Sequence, residues 1–390
     1  MIQLKGLMLV TILSILIFQT NAEDRLKQFG QANNIAAFYT IKTYKKDDNV
    51  ILSPVGVVTE LAMTYKSCGG ATHRDMRRNL GLNESGFPDE LFDQTFNDFI
   101  YTISEKSRKQ AFDVSSAIFS QTNYHILPEY RDLLKNYYHI NLTDVDFDGH
   151  SKQAVDAIND WIKKQEKGKF SSLVKALSDD TRMIYLNTIY NKMSWKKPFE
   201  KTKNEAFYIQ KFSTVNAQMM SVNDTFSYAS FPDRGYEAVE LLYEGDDTSM
   251  LIILPDDDLK FSALEKDMNE TEINDIVSNL GPANLCVKLP KFSYESVEAF
   301  GSSNTYKKYA NFSGIHGEMD LLIAEFPYKA AISVNEKETE VNAITALGLE
   351  LKPGFKEYGV PFFNANQPFL FVIRDRKTNA IIFMGRVSKV

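Results

Sequence analysis

The sequence has few of the residues that build disulfide frameworks, histidine metal sites or nucleic-acid surfaces. Its 390 residues include only two cysteines and five histidines. Two cysteines cannot form a disulfide scaffold, and the histidines lack the spacing of a metal site. The 44 basic and 51 acidic residues give a net charge of −7, without a long basic run. We therefore expect no metal, no cofactor and no nucleic-acid partner.

The composition and hydrophobic pattern indicate one globular α+β domain. Hydrophobic residues make up 44% of the chain and aromatic residues 12%. Helical spacing is clear at 25–43, after Ser53-Pro54, and at 151–167, with Ser53 as a helix cap. Strand-like runs are concentrated in the second half, without regular alternation with helices. We find no repeat and no linker, so residues 23–390 are expected to form a single domain.

The first 22 residues have the pattern of a signal peptide. Lys5 precedes an apolar stretch from Leu7 to Phe18, and the small-residue triplet Thr20-Asn21-Ala22 follows it. A membrane anchor is the alternative, but this apolar stretch is short for a hydrocarbon layer of about 30 Å. The sequence therefore predicts a secreted, extracellular protein without a membrane segment.

Secretion would make the N-x-[ST] triplets candidate glycosylation sites. They begin at Asn83, Asn141, Asn223, Asn269 and Asn311. Asn141 and Asn311 stand beside apolar residues and could be partly buried, so we expect some of the five to be unused. Cys68 and Cys286 are expected to remain unpaired, because nothing in the sequence brings them together.

Residues 336–367 form an unusually long connection between two strand patterns. Loops of this length inside a compact domain are uncommon and usually functional. From Thr339 onward every second residue lacks charge, which is the period of a strand with one buried face. These residues are Thr339, Val341, Ala343, Thr345, Leu347, Leu349 and Leu351. Two interpretations follow: an ordinary edge hairpin, or a strand held outside a sheet that can enter it after cleavage.

Several motifs, in the same order along about 340 residues, resemble those of the serpin family. They are NVILSP (49–54), LNTIYNKMSW (186–195), SMLIILP (249–255), LPKF (289–292), NFSG (311–314), PFLFVIRD (368–375) and FMGRV (383–387). The resemblance implies a serpin fold with three β-sheets, about nine helices and an exposed reactive-centre loop. It also implies a monomeric inhibitor that a serine protease cleaves, after which the freed loop enters the main sheet and traps the acyl-enzyme.

The resemblance also assigns roles to residues before and beneath the loop. The hinge would extend from Glu336 to Thr345, with Thr339 as the first inserted side chain. This hinge departs from the inhibitory pattern, which has Gly in place of Glu338 and small residues in place of Val341, Asn342 and Ile344. The predicted hinge residues are Glu336, Glu338, Thr339, Glu340, Val341, Ala343 and Thr345, and those of the sheet-opening region are Ser53, Gly56, Asn187, Trp195 and Tyr328. Gly56 and Tyr328 are departures too, since the family usually has Ser and His there.

The position of the cleaved bond remains open at the level of sequence. Counting from the hinge selects Lys352, which suits a trypsin-like protease, but Pro353 follows it and such bonds are cut poorly. Lys356-Glu357 and Tyr358-Gly359 are the alternatives.

Other functions have less support. The chain lacks G-x-S-x-G and a convincing Ser/His/Asp set, so we expect no enzymatic activity. Residues 86–105 are acidic rather than basic, so we do not expect heparin binding. The atypical hinge keeps one alternative open: a secreted, non-inhibitory serpin that acts as a binding or carrier protein or as a protease substrate.

Overall fold

The computed structural model describes residues 2–42, 49–106, 111–165, 174, 176–177, 180–210, 213–300, 310–321, 326–339 and 361–390. Within these residues the helices are α1 (Ile2–Ile41), α2 (Pro54–Tyr65), α3 (Gly70–Asn79), α4 (Phe92–Lys106), α5 (Pro128–Tyr137), α6 (Ser151–Gln165), α7 (Phe261–Asp267), α8 (Glu270–Asn279) and α9 (Ser313–His316). The strands are β1 (Val50–Leu52), β2 (Ala111–Gln121), β3 (Leu142–Val145), β4 (Met183–Ser194), β5 (Lys201–Gln210), β6 (Ser213–Phe231), β7 (Tyr236–Leu242), β8 (Thr248–Pro255), β9 (Gly281–Pro290), β10 (Phe292–Phe300), β11 (Phe326–Val334), β12 (Glu338–Thr339), β13 (Phe362–Asn364), β14 (Phe369–Asp375) and β15 (Ile381–Val387).

The strands form three sheet regions, which confirms the predicted α+β class. One sheet has six strands in the order β10-β11-β12-β4-β2-β3. The other nine strands share one network, because the 19-residue β6 pairs with β5 and β9 and, near its end, with β7. This network has a four-stranded part, β5-β6-β9-β13, and a six-stranded part, β6-β7-β8-β14-β15-β1.

Helix α2 lies at the centre of the main core. Ser53 caps it, since the Ser53 Oγ accepts a hydrogen bond from Gly56 N at 3.3 Å and Pro54 occupies the first turn. All twelve residues of α2 are buried. Helix α6 packs separately, on the opposite face of the six-stranded sheet, through a second cluster that includes Leu186 of β4. The two faces of β4 therefore meet different helices.

Two further findings concern the cysteines and the helices. Cys68 follows α2, Cys286 lies in β9, and the two do not form a disulfide bond with each other. No helix among the described residues is both long and apolar enough to span a membrane.

Candidate functional site

The candidate site lies where the chain leaves β11 and approaches the long loop. The two-residue β12 pairs with β11 on one side, Thr339 opposite Val334. On its other side β12 pairs with β4, Thr339 opposite Met193. Both pairings are antiparallel. Because β12 pairs with both strands, it lies between β11 and β4, at one end of the six-stranded sheet.

Thr339 points into the core from this position. Its side chain is 5% exposed, and its Oγ1 lies 3.0 Å from the hydroxyl of Tyr243. The residues opposite it, Met193 and Val334, are also buried. Residues two apart on a strand share a face. The uncharged residues that follow Thr339 at every second position would therefore face the same side if the strand continued.

A turn held by Trp195 connects β11 to β12. The indole Nε1 of Trp195 donates to Asn335 O at 2.9 Å, and its backbone N donates to Lys337 O at 2.9 Å. The Trp195 ring stacks on that of Tyr243, with centroids 4.5 Å apart. The stacked pair Trp195 and Tyr243 thus contacts the start of the predicted hinge, through Asn335, Lys337 and Thr339.

Glu336 anchors the hinge to the neighbouring four-stranded part. Its Oε1 lies 2.6 Å from Lys291 Nζ and accepts a hydrogen bond from Thr202 Oγ1 at 2.6 Å, while its backbone O accepts from Phe199 N at 2.8 Å. Burial raises the pKa of Glu336, but the hydrogen bonds from Lys291 and Thr202 outweigh burial and leave that pKa below its usual value. Glu336 is therefore ionised at neutral pH.

The predicted sheet-opening residues lie on α2, β4 and β11. Asn187 Nδ2 donates to Gly56 O at 3.1 Å, which ties β4 to α2. Ser53 Oγ donates to Ile382 O at 2.8 Å and so ties α2 to β15. Tyr328 lies in β11, opposite Glu298 of β10. Trp195 lies just after the last residue of β4, where it contacts the turn between β11 and β12 as described above.

Much of the predicted loop falls outside the described residues, which resume at Pro361. This applies to Glu340, Val341, Ala343, Thr345, Lys352, Pro353, Lys356 and Tyr358. Their roles remain predictions.

The predicted glycosylation sites differ in accessibility. Asn83, Asn223 and Asn269 are exposed, and the Asn269 side chain also caps α8 by accepting from Glu272 N at 3.0 Å. Asn141 is exposed too: it follows the buried Ile140 but points outward before β3 begins. Asn311 is half-buried.

Sequence reasoning missed the partners of the hinge. Tyr243 lies 96 residues from Thr339 in the chain, and no pattern signals that contact. The described residues contain no cluster of His, Cys, Asp or Glu that could hold a metal ion.

Comparison with known proteins gives consistent matches along the chain. A family model described as "Serpin (serine protease inhibitor)" matches residues 31–390. "Intracellular coagulation inhibitor 2" of Tachypleus tridentatus is 29% identical over 352 residues, covering 88% of this chain and 86% of that protein. Iripin-8 of Ixodes ricinus is 29% identical over 385 residues, covering 94% and 96%. The crystal structure of human thyroxine-binding globulin complexed with thyroxine has a TM-score of 0.80 at 23% identity, covering 94% and 99%, and so shares the fold.

Proposed function

The chain belongs to the serpin family, and on that premise we propose that it is a secreted inhibitor that traps a trypsin-like serine protease by strand insertion. The observation that carries the proposal is the position of β12 between β11 and β4, with Thr339 already facing the core. The chain that follows β12 has the alternating pattern of a strand with one buried face.

The length of the alternating segment matches the length of β4. Thr339 lies opposite Met193, and in an antiparallel pair each step forward along one strand is a step back along the other. Ten residues after Thr339, Leu349 would fall opposite Met183, the first residue of β4. The uncharged alternation ends at Leu351, two residues later. An inserted strand would therefore use the whole of β4.

This register favours Lys352 as the residue before the cleaved bond. The protease serine would attack the carbonyl carbon of Lys352, release the amine of Pro353 and form an acyl ester. Insertion would carry that ester to the far end of the sheet, roughly 45 Å away at about 3.3 Å per residue. Cleavage at Lys356 or Tyr358 would leave four or six further residues without partners on β4, and hence a slack connection to the enzyme.

Incubation with trypsin tests the proposal directly. We expect a covalent adduct that survives SDS, and the variant Lys352→Ala is expected to form it about 100-fold more slowly, because a trypsin-like pocket requires the basic side chain. Lys356→Ala is the matched control and should behave as the wild type. Clipped protein accompanied by fully active enzyme would argue against inhibition. Loss of the adduct in the Lys356→Ala variant would assign the cleaved bond to Lys356-Glu357 instead.

Secretion and glycosylation are part of the same proposal. They rest on the signal-peptide pattern of residues 1–22 and on the exposure of Asn83, Asn141, Asn223 and Asn269. A trypsin-like extracellular protease is accordingly the proposed partner, and the inhibitor is proposed to act as a monomer without heparin.

A cleft supports the alternative function as a binding or carrier protein. It has a volume of about 940 Å³ and lies between α1, α8 and the turn joining β14 to β15. Its lining includes Lys27, Arg376, Lys377 and the acidic Asp247 and Glu270, so it suits a small polar ligand. The trypsin experiment separates the two functions, since a carrier without a working trap yields clipped protein and active enzyme.

A further inference from the structure

The central helix α2 contains a buried carboxyl group that the proposed mechanism does not yet use. Glu60 is 2% exposed. Within the described part of the chain its carboxyl group has no ion-pair partner, and burial is the cause that shifts its pKa. Burial of a carboxylate without a partner is costly, so such a group is usually kept neutral or is paired.

Glu60 lies beneath the strand that must move. It is four residues after Gly56 and three before Met63, and residues at these spacings share one face of a helix. The carbonyl of Gly56 accepts from Asn187 of β4 at 3.1 Å. The carbonyl of Met63 accepts from the Tyr130 hydroxyl at 2.8 Å, and that hydroxyl contacts the hydroxyl of Tyr185 of β4 at 2.8 Å. Glu60 therefore lies between two links from α2 to β4.

Among the side chains that the structure describes around α2, none supplies a countercharge to Glu60. The basic side chains near its ends are engaged elsewhere: Arg77 and Lys66 contact Asp89, and Arg386 of β15 contacts Glu265. The other titratable groups on the described elements around α2 are Tyr65, Cys68, His73, Asp93, Tyr130, Tyr138 and Tyr185. Burial raises the pKa of Tyr130 and Tyr185, so both remain neutral across the physiological range.

Burial also determines the ionisation of Glu60 itself. It raises the pKa of this carboxyl well above its usual value of 4.5. A carboxyl group whose pKa is higher in the folded than in the unfolded state stabilises the fold fully only below the unfolded value. That stability is lost as the pH rises from about 4.5 through the folded pKa.

We propose that Glu60 makes opening of the six-stranded sheet depend on pH. Separation of β4 from β11 would admit water to the face of α2 that carries Glu60, so an ionised carboxylate favours the open sheet and a neutral carboxyl favours the closed one. Strand insertion is then faster at higher pH. This inference rests on the proposed strand-insertion function, and Glu60 acts as a positioning residue that touches neither the protease nor the cleaved bond.

Thermal unfolding of a Glu60→Gln variant tests the ionisation of Glu60. Glutamine has nearly the same shape but stays neutral, so the variant should melt about 3 °C or more above the wild type at pH 8, and at the same temperature near pH 4.5. The exposed Glu129 of α5 provides the control, since Glu129→Gln should show no such pH-dependent difference. A Tm difference for Glu60→Gln that is constant with pH would overturn the proposal.

Uptake of a synthetic peptide with the sequence of residues 339–351 tests the link to sheet opening. At pH 8 the wild type should take up the peptide at least threefold faster than Glu60→Gln, and near pH 5 the two rates should agree. If the ratio of the wild-type rate to the Glu60→Gln rate does not change with pH, the role of Glu60 is overturned but strand insertion is not. Failure of both proteins to take up the peptide at any pH overturns strand insertion itself, and the proposal with it.

Discussion

An arginine at position 343 is expected to abolish both the covalent adduct and the gain in thermal stability that follows cleavage. Ala343 is four residues after Thr339, so it would share the inward face and lie opposite Ile189 of β4. Ile189 packs against the main core. Burial of an unpaired guanidinium costs several kcal/mol, which is enough to stop the strand before it is seated.

The measurement compares Tm before and after cutting at Lys352. The cut wild type should melt about 10 °C or more above the intact protein, because a complete additional strand joins the sheet. Cut Ala343→Arg should melt at the temperature of its intact form and should release active protease. If cleavage raised the Tm of Ala343→Arg as much as that of the wild type, the inward face of the strand would not be buried and the account would be contradicted.

Asn342→Arg is the matched control for this experiment. It introduces the same charge one residue earlier, on the opposite face of the inserted strand, beside Tyr190. Helix α6 covers that face farther along, where it packs on Leu186. The arginine at position 342 can therefore reach water, and Asn342→Arg should keep both the adduct and the stability gain. An equal loss in both variants would mean that the face of the strand does not matter.

Glu338→Gly is expected to increase the fraction of protease that is trapped. Glu338 lies opposite Ser194 at the entrance between β11 and β4 and is half-buried. Insertion would extend β12 from two residues to a full strand, and a carboxylate beside this entrance would oppose that step. Glycine removes the charge and gives the backbone more freedom. In the proposed mechanism insertion would compete with deacylation, and a barrier lower by about 1.4 kcal/mol would make trapping tenfold faster.

The ratio of SDS-stable adduct to clipped protein measures this effect. Glu338→Ala removes the charge but retains Cβ, so it separates the two contributions. An equal increase in both variants identifies the carboxylate as the cause, and an increase in Glu338→Gly alone identifies the backbone. A ratio no higher than that of the wild type in either variant contradicts the account of the hinge.

Parts of the fold that depend on local pattern could be predicted from the sequence. The cap at Ser53, the helices near 25–43 and 151–167, and the late strands follow from spacing and turn residues. The strand-like pattern of the sequence covers residues 183–190, and strand β4 continues four residues beyond it, to Ser194. Helix α1 is longer than predicted at its start and ends at Ile41.

Features that depend on distant partners could not be predicted. The helical spacing of the sequence after Ser53-Pro54 predicts one apolar side, formed by Val57, Val58, Leu61, Ala62 and Tyr65. Glu60 is buried as well, because β4, β15 and other helices surround α2, and a helical pattern does not show how many elements enclose it. The contact of Thr339 with Tyr243 depends in the same way on the three-dimensional packing of β12 over β7 and its following turn.

Hydrogen exchange of residues 340–351, measured before and after cleavage at Lys352, tests the central claim most directly. The claim is that this segment becomes a strand between β4 and β11. It predicts that the backbone amides of 340–351 become protected after the cut to a degree similar to those of β4, since both would then lie inside one sheet. Exchange of the cut segment at the rate of an unfolded peptide would contradict the claim.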